Sequence, residues 1–495
     1  MFAPEKPQPT VFFAFLFIAC LLCGIASASP SITLSKKTGP PTSRILVSGR
    51  GFKPNVGVDI FFDTKDEALV VTNGKGEFDK AGIHAHRGAQ PGQHWVTAMN
   101  RNDYSGDQKA FLVQTNWSEF HFRHNGTRLN PYENVLDAKT VKRLKLKWTY
   151  STSRIYAVDS SPAVMNGVVY VGSGDHNVYA LNAKTGALLW RYTTGASVQS
   201  SPAVANGVVF VGSDDLNVYA LNARTGHKLW SYNTRGVVES SPAVSNGVVY
   251  VGSNDGNMYA LIAYPAKTTL LWSYKISYPV YSSPVVANGV VYVNSLVGIY
   301  ALNAKTGAPV WSNVAGNGSP TVANGVVYLG SNALNASTGN LLWSNTTVAD
   351  VEGTPALADR VVYVESYTDG GVYALDAATG AVLWVYHTNF PYLKSSPAVA
   401  NGVVYIGAMD FNVYALDAKT GAKLWSYNVG DYLDSSPTVA NGMVYIGCNN
   451  GKMYAFGLPD GDQAKQDADS KRPDPKTLRP DLSLKPSKPV AASGT

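Results

Sequence analysis

Eight side chains at one fixed position of an internal repeat are the residues of this chain best placed to do chemistry. The position directly precedes a Ser-Ser-Pro step or its equivalent, and its neighbours recur while its own residue changes. Its occupants are Asp159, Gln199, Glu239, Tyr281, Asn317, Glu352, Lys394 and Asp434. Because repeated residues serve the scaffold, variation at a fixed position indicates side chains that are free for another role.

The chemistry of this ring of eight is polar. Four acids, one lysine and neutral polar groups predict a site for a cation or a small polar ligand, and Lys394 would form an acid–base pair with Asp434 in the next unit. The alternative is a solvated loop position, at which polarity costs nothing.

Histidines suggest a second chemistry. His84 and His86 lie on one face of a predicted strand, and His94 follows across a turn. Such an arrangement can bind zinc or copper. Exposed strand histidines are the alternative, and His121 and His124 are weaker candidates.

The other reactive residue types predict structure rather than catalysis. Asp175, Asp215 and Asp410 each begin an Asp-x-Asn step at the same turn, which indicates side-chain-made turns and not calcium loops. Cys448 is interpreted as a small, buried strand-end residue. The sequence has no Ser/His/Asp constellation and no phosphate-binding glycine loop, so we expect no catalytic residue and no metal site.

The elements that must position the ring of eight form a repeat of four short strands. In the copy at 200–239, a strand after Pro202 leads to the type I′ turn Asn206-Gly207, and a continuous apolar strand follows. A third strand and a fourth around Trp230 complete the unit. A unit with two apolar faces is stable only when it is stacked on its copies.

The count of copies predicts a closed ring. The first-strand proline recurs eight times, at Pro162, Pro202, Pro242, Pro284, Pro320, Pro355, Pro397 and Pro437. The fourth-strand tryptophan also recurs eight times, but Trp148 precedes the first proline and no tryptophan follows the last unit. Residues 143–150 should therefore supply the last blade's fourth strand, which also removes exposed sheet edges. The predicted fold is all-β, an eight-bladed β-propeller of four-stranded antiparallel blades over residues 143–458.

Six motifs of the form Ala-x-Asp/Asn-x-x-Thr-Gly, each followed by a strand tryptophan, resemble the pyrroloquinoline quinone (PQQ)-like propeller repeat. They begin at Ala180, Ala220, Ala301, Ala333, Ala374 and Ala415. The resemblance implies docking tryptophans that pack between blades against the Thr-Gly turn: Trp148, Trp190, Trp230, Trp272, Trp311, Trp343, Trp384 and Trp425. It leaves function open, because the same propeller serves quinoprotein dehydrogenases, outer-membrane assembly lipoproteins and sensor ectodomains.

The resemblance also bears on the cofactor. Quinoprotein dehydrogenases of the family hold PQQ with a vicinal cysteine disulfide, a calcium ion and a floor tryptophan. This sequence has no adjacent cysteines, and its two other tryptophans, Trp95 and Trp117, lie outside the predicted ring. We therefore expect no cofactor, with PQQ and calcium as the disfavoured alternative.

One blade is shortened twice. Trp311 to Pro320 spans nine positions against twelve in most units, and Ser331-Asn332 runs straight into Ala333. Both deletions fall on the predicted top face, where the ring of eight lies, and predict a notch. The notch is either a partner groove or the result of drift in a tolerant loop.

Four segments flank the ring. Residues 1–28 have the apolar core and small-residue ending at Ala28 of a secretory signal peptide; a lipid anchor on Cys20 and an uncleaved membrane helix are the alternatives. Residues 30–114 predict a small β-sandwich that resembles immunoglobulin-like modules through Ser48-Gly-Arg-Gly-Phe52. Residues 115–142 form a connector. Residues 459–495, rich in Pro, Lys and Asp, predict a disordered tail.

Composition and charge narrow the range of functions that the sequence allows. The net charge of +6 is spread out, without a basic run with interleaved aromatics, so we expect no nucleic-acid partner. The leading prediction is a secreted, monomeric, non-catalytic propeller that acts as a protein-interaction or ligand-binding scaffold at its top face, outside the cytoplasm. A PQQ- and calcium-dependent quinoprotein oxidoreductase and a cell-envelope factor for outer-membrane protein assembly are the alternatives. A membrane is expected as a partner only through an N-terminal anchor.

Overall fold

Strands and their turns dominate the computed structural model, which describes residues 29–122, 126–153, 155–264, 269–314, 316–348, 350–460 and 472–486. The predicted signal peptide with Cys20 and the candidate ligand His124 lie outside the described residues. Within these ranges, no helix has the length and apolar character needed to cross a membrane.

The N-terminal part folds as two sheets around one core. Its strands are β1 (Ser31–Leu34), β2 (Thr38–Gly39), β3 (Arg44–Arg50), β4 (Gly57–Phe62), β5 (Lys65–Val71), β6 (Phe78–His84), β7 (Gly92–Asn100) and β8 (Gly106–Val113). One sheet has the order β1-β3-β6 and the other β2-β8-β7-β4-β5. Alternate residues such as Ile45 and Val47 face the shared core with Phe62 and Phe111. The immunoglobulin-like assignment stays a prediction.

Eight four-stranded antiparallel blades form the ring, which confirms the propeller. The connector contributes β9 (Leu129–Asn130), the 3-10 turn η1 (Val141–Arg143) and β10 (Lys145–Ser151), and β9 adds a fifth, parallel strand to the seventh blade. Blade 1 consists of β11 (Ala163–Met165), β12 (Val168–Gly172), β13 (Asn177–Asn182) and β14 (Leu188–Thr193), and blade 2 of β15 (Ala203–Ala205), β16 (Val208–Gly212), β17 (Asn217–Asn222) and β18 (Lys228–Asn233). Blade 3 consists of β19 (Ala243–Ser245), β20 (Val248–Gly252), β21 (Asn257–Ile262) and β22 (Leu270–Lys275), and blade 4 of β23 (Val285–Ala287), β24 (Val290–Ser295), β25 (Gly298–Asn303) and β26 (Pro309–Asn313).

Blades 5 to 8 continue the same pattern. Blade 5 consists of β27 (Thr321–Ala323), β28 (Val326–Leu329), β29 (Asn332–Asn335) and β30 (Leu341–Ser344), and blade 6 of β31 (Ala356–Ala358), β32 (Val361–Glu365), β33 (Gly371–Asp376) and β34 (Val382–His387). Blade 7 consists of β35 (Ala398–Ala400), β36 (Val403–Gly407), β37 (Asn412–Asp417) and β38 (Lys423–Asn428), and blade 8 of β39 (Thr438–Ala440), β40 (Met443–Cys448), β41 (Lys452–Gly457) and β10. The innermost strands of neighbouring blades contact each other, including the first strand, β11, with the last, β39.

The ring is closed by the segment that precedes it. β10 pairs antiparallel with β41 from Lys145 opposite Gly457 to Ser151 opposite Lys452. The closure expected from the out-of-phase tryptophans is therefore confirmed. The first hairpin turn of each blade has two left-handed residues, such as Asn206 (φ 48°) and Gly207 (φ 77°), as a type I′ turn requires.

The fourth-strand tryptophans join each blade to the next. Trp190 Nε1 donates to Ala223 O (2.9 Å), and the same carbonyl accepts the Tyr170 hydroxyl (3.1 Å). A Cβ at Gly226 would lie 2.7 Å from the Trp190 ring, so only glycine lets the turn approach the indole. All eight tryptophans donate to a carbonyl across a blade boundary, with Trp425 reaching Leu144 O (3.2 Å) where the ring closes.

The disordered-tail prediction is wrong for residues 472–486, which pack on the N-terminal sandwich. Leu478 is 2% exposed and lies with Phe61 and Met99. Arg472 Nε donates to Gln108 Oε1 (2.6 Å), and its guanidinium covers the Trp95 ring at 5.1 Å. One apolar side chain and a few polar contacts are sufficient to place a segment whose composition indicates disorder.

Candidate functional site

The connector closes the lower end of the central channel, at the side of the first hairpin turns. Trp117 and Val164 of blade 1 exchange two backbone hydrogen bonds (2.8 and 2.7 Å), and Val204 of blade 2 donates to Ser118 O (2.7 Å). In blade 3, Val244 N donates to the Glu119 carboxylate (3.2 Å).

The connector then continues around the other side of the ring. Its Gly126 accepts from Thr321 Oγ1 of blade 5 (2.8 Å). Leu357 of blade 6 donates to Thr127 O, and Val399 of blade 7 donates to Arg128 O, both at 2.9 Å. Asn130 Nδ2 reaches Val439 O of blade 8 (2.9 Å). The described residues of the connector thus cap the innermost strands of seven blades one after another at the lower end of the channel.

The buried guanidinium of Arg128 fixes this closure. Arg128 has no exposed surface and donates to the carbonyls of Phe120, Ser396, Pro397 and Pro437. Burial lowers the pKa of Arg128 to about 9 and raises the pKa of Glu119 to about 8. Burial, with the nearby Arg128, also lowers the pKa of His121 to about 3, so this histidine is neutral. Arg128 and Trp117 are therefore parts of the propeller base, and Trp117 does not lie outside the ring.

A ring of serines sets the geometry of the open end, the mouth. Ser200 Oγ donates to Ser240 O of the next blade and accepts from Gly212 N of its own blade, both at 3.0 Å, and Ser201 N donates to Ser241 Oγ (3.0 Å). Blade 8 makes the corresponding contacts to blade 1. Because each member of the ring of eight directly precedes this serine pair or its equivalent, which is Gly318-Ser319 in blade 5 and Gly353-Thr354 in blade 6, its backbone is held at the mouth.

Four carboxyls from adjacent blades 8, 1, 2 and 3 form what we call the acidic arc: Asp434, Asp159, Asp214 and Glu239. Burial, and then the nearby Asp434, raises the pKa of Asp159 to about 6, against a smaller lowering by Lys394. Burial is also the main cause that raises the pKa values of Asp214 and Glu239. Gln199 Nε2 donates to Asp214 Oδ2 at 3.0 Å.

Several oxygen atoms at the acidic arc are buried without a partner. They are the Oδ1 atoms of Asp159, Asp214, Asn254, Asp434 and Asn449, none of which has a hydrogen-bond partner among the described residues. Acceptors with no donor are the groups that a cation or a ligand N–H would satisfy. The arrangement can bind positive charge.

Lys394 does not complete an acid–base pair. Its ammonium lies 5.8 Å from the centroid of the Tyr367 ring. Asp434 instead accepts from Asn449 Nδ2 at 2.8 Å. Within the described ranges no salt bridge joins Lys394 to Asp434, so the predicted pair is wrong.

The other three members of the ring of eight line a cavity where the notch was predicted. Tyr281, Asn317 and Glu352, from blades 4 to 6, border a volume of about 410 Å³. Strands β28, β29 and β30 of blade 5 have four residues each, against five or six at the same places in most blades. The ring of eight is therefore divided between the acidic arc with the Gln199 amide bound to it, this cavity, and Lys394.

The histidines of the sandwich are engaged in structure. His94 Nδ1 lies 2.7 Å from Asp63 Oδ2, and His94 Nε2 lies 2.7 Å from Gln90 O. His86 Nδ1 lies 3.5 Å from a Glu67 oxygen, and His84 is exposed at the end of β6. Across the described ranges, no group of three or more His, Cys, Asp or Glu side chains is arranged to hold a metal ion.

The remaining polar candidates also have structural surroundings. Asp175 accepts from Asn177 N (3.2 Å) and from the Tyr179 hydroxyl (2.7 Å), the contacts of a side-chain-made turn. Cys448 has no exposed surface, and burial raises the pKa of its thiol to about 11.

Two functional candidates escaped sequence reasoning. In blades 1, 2, 3, 7 and 8 the fifth residue of the second strand is glycine: Gly172, Gly212, Gly252, Gly407 and Gly447. In blades 4 and 6 it is Asn294 and Glu365, buried at the cavity and beside it. The replacement of this glycine in blades 4 and 6 is visible in the sequence, so it could have identified both residues as candidates.

The residues around the channel do not fit PQQ. The eight docking tryptophans pack between blades. The Trp117 ring lies at the closed end of the channel, and the Arg128 guanidinium lies 5.6 Å from its centroid. Trp95 lies in the sandwich beneath Arg472. No tryptophan of the described residues is left to form a floor for the quinone, and the sequence has no adjacent cysteines.

Comparison with known proteins identifies the family. A family profile described as outer membrane protein assembly factor BamB matches residues 137–263, 235–333 and 298–475. These matches cover more than half of the chain, so the chain belongs to this family of PQQ-like propellers.

Solved structures show the same fold. BamB from Moraxella catarrhalis superposes with a TM-score of 0.56 at 21% identity, over 64% of this chain and 100% of that one. A europium-containing methanol dehydrogenase superposes with a TM-score of 0.60 at 16% identity, over 70% and 98%. At these identities the likeness concerns fold alone.

Curated relatives match over short stretches. The dehydrogenase subunit of the quinone-dependent alcohol dehydrogenase of Gluconobacter oxydans (strain 621H) is 27% identical over 97 residues, 20% of this chain and 12% of that protein. The quinohemoprotein alcohol dehydrogenase ADH-IIG of Pseudomonas putida is 31% identical over 77 residues, 16% and 11% respectively. The chain thus matches only about a tenth of the length of these enzymes.

Proposed function

We propose that the protein is a non-catalytic propeller that binds a protein or a small polar ligand at its mouth, outside the cytoplasm. The capped channel carries this proposal. The connector fills its base, and Arg128 holds the connector there. Its mouth presents side chains that vary from blade to blade and oxygens that have no donor among the described residues. Binding sites are characteristically concave, with a few polar groups that fix orientation. The predicted signal peptide supports the location.

Site-specific photo-crosslinking tests the proposal. A photoreactive phenylalanine analogue replaces the exposed Gln199 at the mouth or, as a matched control, the exposed Lys305 in a turn at the opposite end of a blade. In cells that produce the full-length chain, we expect discrete adducts, resolved by intact mass, from Gln199 only. Asp159→Asn combined with Glu239→Gln should reduce them. The same adducts from both positions, or none from Gln199, would refute the proposal.

A factor in outer-membrane protein assembly is the second candidate. The family profile, which is described as outer membrane protein assembly factor BamB, favours it. In that case the adduct from Gln199 should contain a component of the outer-membrane assembly machinery, and Cys20 should carry a lipid. A quinoprotein oxidoreductase is supported by the short matches to dehydrogenases and opposed by the residues around the channel.

A further inference from the structure

Two residues exchange size at the wall of the cavity between blades 4 and 6. In blade 1, Gly172 lies against Val198 of the next mouth loop, where a Cβ on the glycine would be 2.4 Å from Val198 Cγ1. Blades 2 and 3 repeat this contact. In blade 4 the glycine is replaced by Asn294, and the valine position of the shortened loop is Gly316, in a left-handed conformation with φ 59°. An amide side chain thus takes the space that valine fills elsewhere.

This exchange leaves one acceptor in the cavity wall. Asn294 is 4% exposed, and its Nδ2 donates to Gly318 O (3.2 Å) and, more weakly, to Gly316 O (3.4 Å). These two carbonyls fix the orientation of the amide, since only Nδ2 can donate to them. Asn294 Oδ1 is buried and has no partner in the part of the chain that the structure describes. A buried acceptor without a donor is costly to keep, and a bound N–H group would satisfy it.

The rest of the lining favours positive charge with an apolar tail. Glu352 contributes an exposed carboxylate, and the Tyr281 ring is 47% exposed at the rim. Leu296, which is 71% exposed, adds an apolar wall. No lysine or arginine lines the cavity among its described residues. A carboxylate, an amide oxygen and a ring face are together the groups that recognise ammonium, and a leucine suits methylene groups.

We propose that this cavity binds an alkylammonium group, with Asn294 Oδ1 and the Glu352 carboxylate accepting its N–H bonds and Leu296 packing on its methylene chain. The proposal rests on the proposed function and gives its ligand a chemical class. The group can belong to a free diamine or to a lysine side chain of a partner.

Ligand-observed NMR on the full chain tests it with three probes. They are 1,5-diaminopentane, Nα-acetyl-lysine N-methylamide as the lysine side chain, and 1,5-pentanediol as the neutral match. We expect both amines to bind at millimolar concentration or below and the diol to bind at least about tenfold more weakly. Preference for the diamine assigns a free amine, and preference for the lysine derivative assigns a protein side chain.

Variants locate the site. Asn294→Gly restores the residue of five other blades, so it should fold, and Glu352→Gln is isosteric and exposed. Each should weaken amine binding about tenfold or more through loss of an acceptor for a charged donor. Glu77→Gln, an exposed and isosteric change on the N-terminal sandwich, is the matched control and should change amine binding less than about twofold. Thermal midpoints recorded in parallel show that each variant is folded.

Three results would overturn the proposal. They are equal binding of diol and amine, no amine binding at about 10 mM, and amine binding that Glu239→Gln abolishes while Asn294→Gly leaves it unchanged. The last result would move the ammonium to the acidic arc and leave the proposed function in place. The proposed function fails separately, when Gln199 gives no adducts.

Discussion

The contribution of a docking tryptophan to the stability of the ring can be measured at Trp190. The indole is 8% exposed and lies between blades 1 and 2. A buried tryptophan removes roughly 150–250 Å² from water. At about 25 cal/mol per Å² this corresponds to ~4–6 kcal/mol, and measured Trp→Ala losses are about 3–5 kcal/mol. We expect Trp190→Ala to lower the free energy of unfolding by about 3–5 kcal/mol.

Trp190→Phe separates area from hydrogen bonding. Phenylalanine keeps most of the apolar surface but cannot donate to Ala223 O. That carbonyl still accepts the Tyr170 hydroxyl, so it keeps a partner. The expected loss is about 1–2 kcal/mol. Tyr170→Phe should cost about 1 kcal/mol, and the double Phe variant should lose about 1 kcal/mol more than the sum, because only then does the carbonyl lose both donors.

Urea unfolding at constant pH, followed by near-ultraviolet circular dichroism, measures the free energy of unfolding of these four variants. An unchanged dependence of this free energy on urea concentration would show that unfolding exposes the same surface in each variant. A loss below about 1 kcal/mol for Trp190→Ala, or equal losses for the alanine and phenylalanine variants, would refute the stacked-blade reasoning. Additive losses in the double variant would refute the shared carbonyl.

Three further predictions follow from buried groups. Because the pKa of Asp159 is raised to about 6, ionising this carboxyl in the folded protein costs free energy of folding. Asp159→Asn should therefore stabilise the protein by roughly 1–2 kcal/mol at pH 7.5. The gain should fade as the pH falls from about 6 to about 4 and be absent below that, where the carboxyl is protonated in both the folded and the unfolded chain, and pH-dependent thermal melts measure it. A gain independent of pH would contradict that cause. Arg128→Ala should cost ~3–5 kcal/mol and speed amide exchange in the connector, with unchanged exchange as the contrary result. Leu478→Asp should release residues 472–486 to limited proteolysis while the propeller stays intact; full protection would show that Leu478 does not hold the tail.

The repeat could be read from the sequence because each blade carries its own local signals. Asn206-Gly207 selects its turn without help from distant residues, and the offset of Trp148 from the first proline already implies the closing strand. The ring of eight could be located for the same reason, since its position in the repeat is fixed.

What could not be read depends on single residues and long-range contacts. Arg128 contacts Pro397 and Pro437, which lie hundreds of positions away in the sequence. The connector has no periodic pattern of residues from which its path around the ring could be predicted. Leu478 is one apolar residue in a polar segment, so composition alone indicated disorder. Lys394 and Asp434 are neighbours in the ring, but a tyrosine ring and an amide already engage them, which a repeat pattern does not reveal.

Thermal unfolding of the mature protein with and without PQQ plus calcium tests most directly whether the mouth is a scaffold site or a quinone site. A ligand that binds the native state alone must raise the midpoint, by about 2.7 kcal/mol of stability at a hundred times its dissociation constant. We predict no shift, with a quinoprotein dehydrogenase as the positive control in the same assay. A clear rise in the midpoint, with dye-linked oxidation of an alcohol, would contradict a non-catalytic propeller.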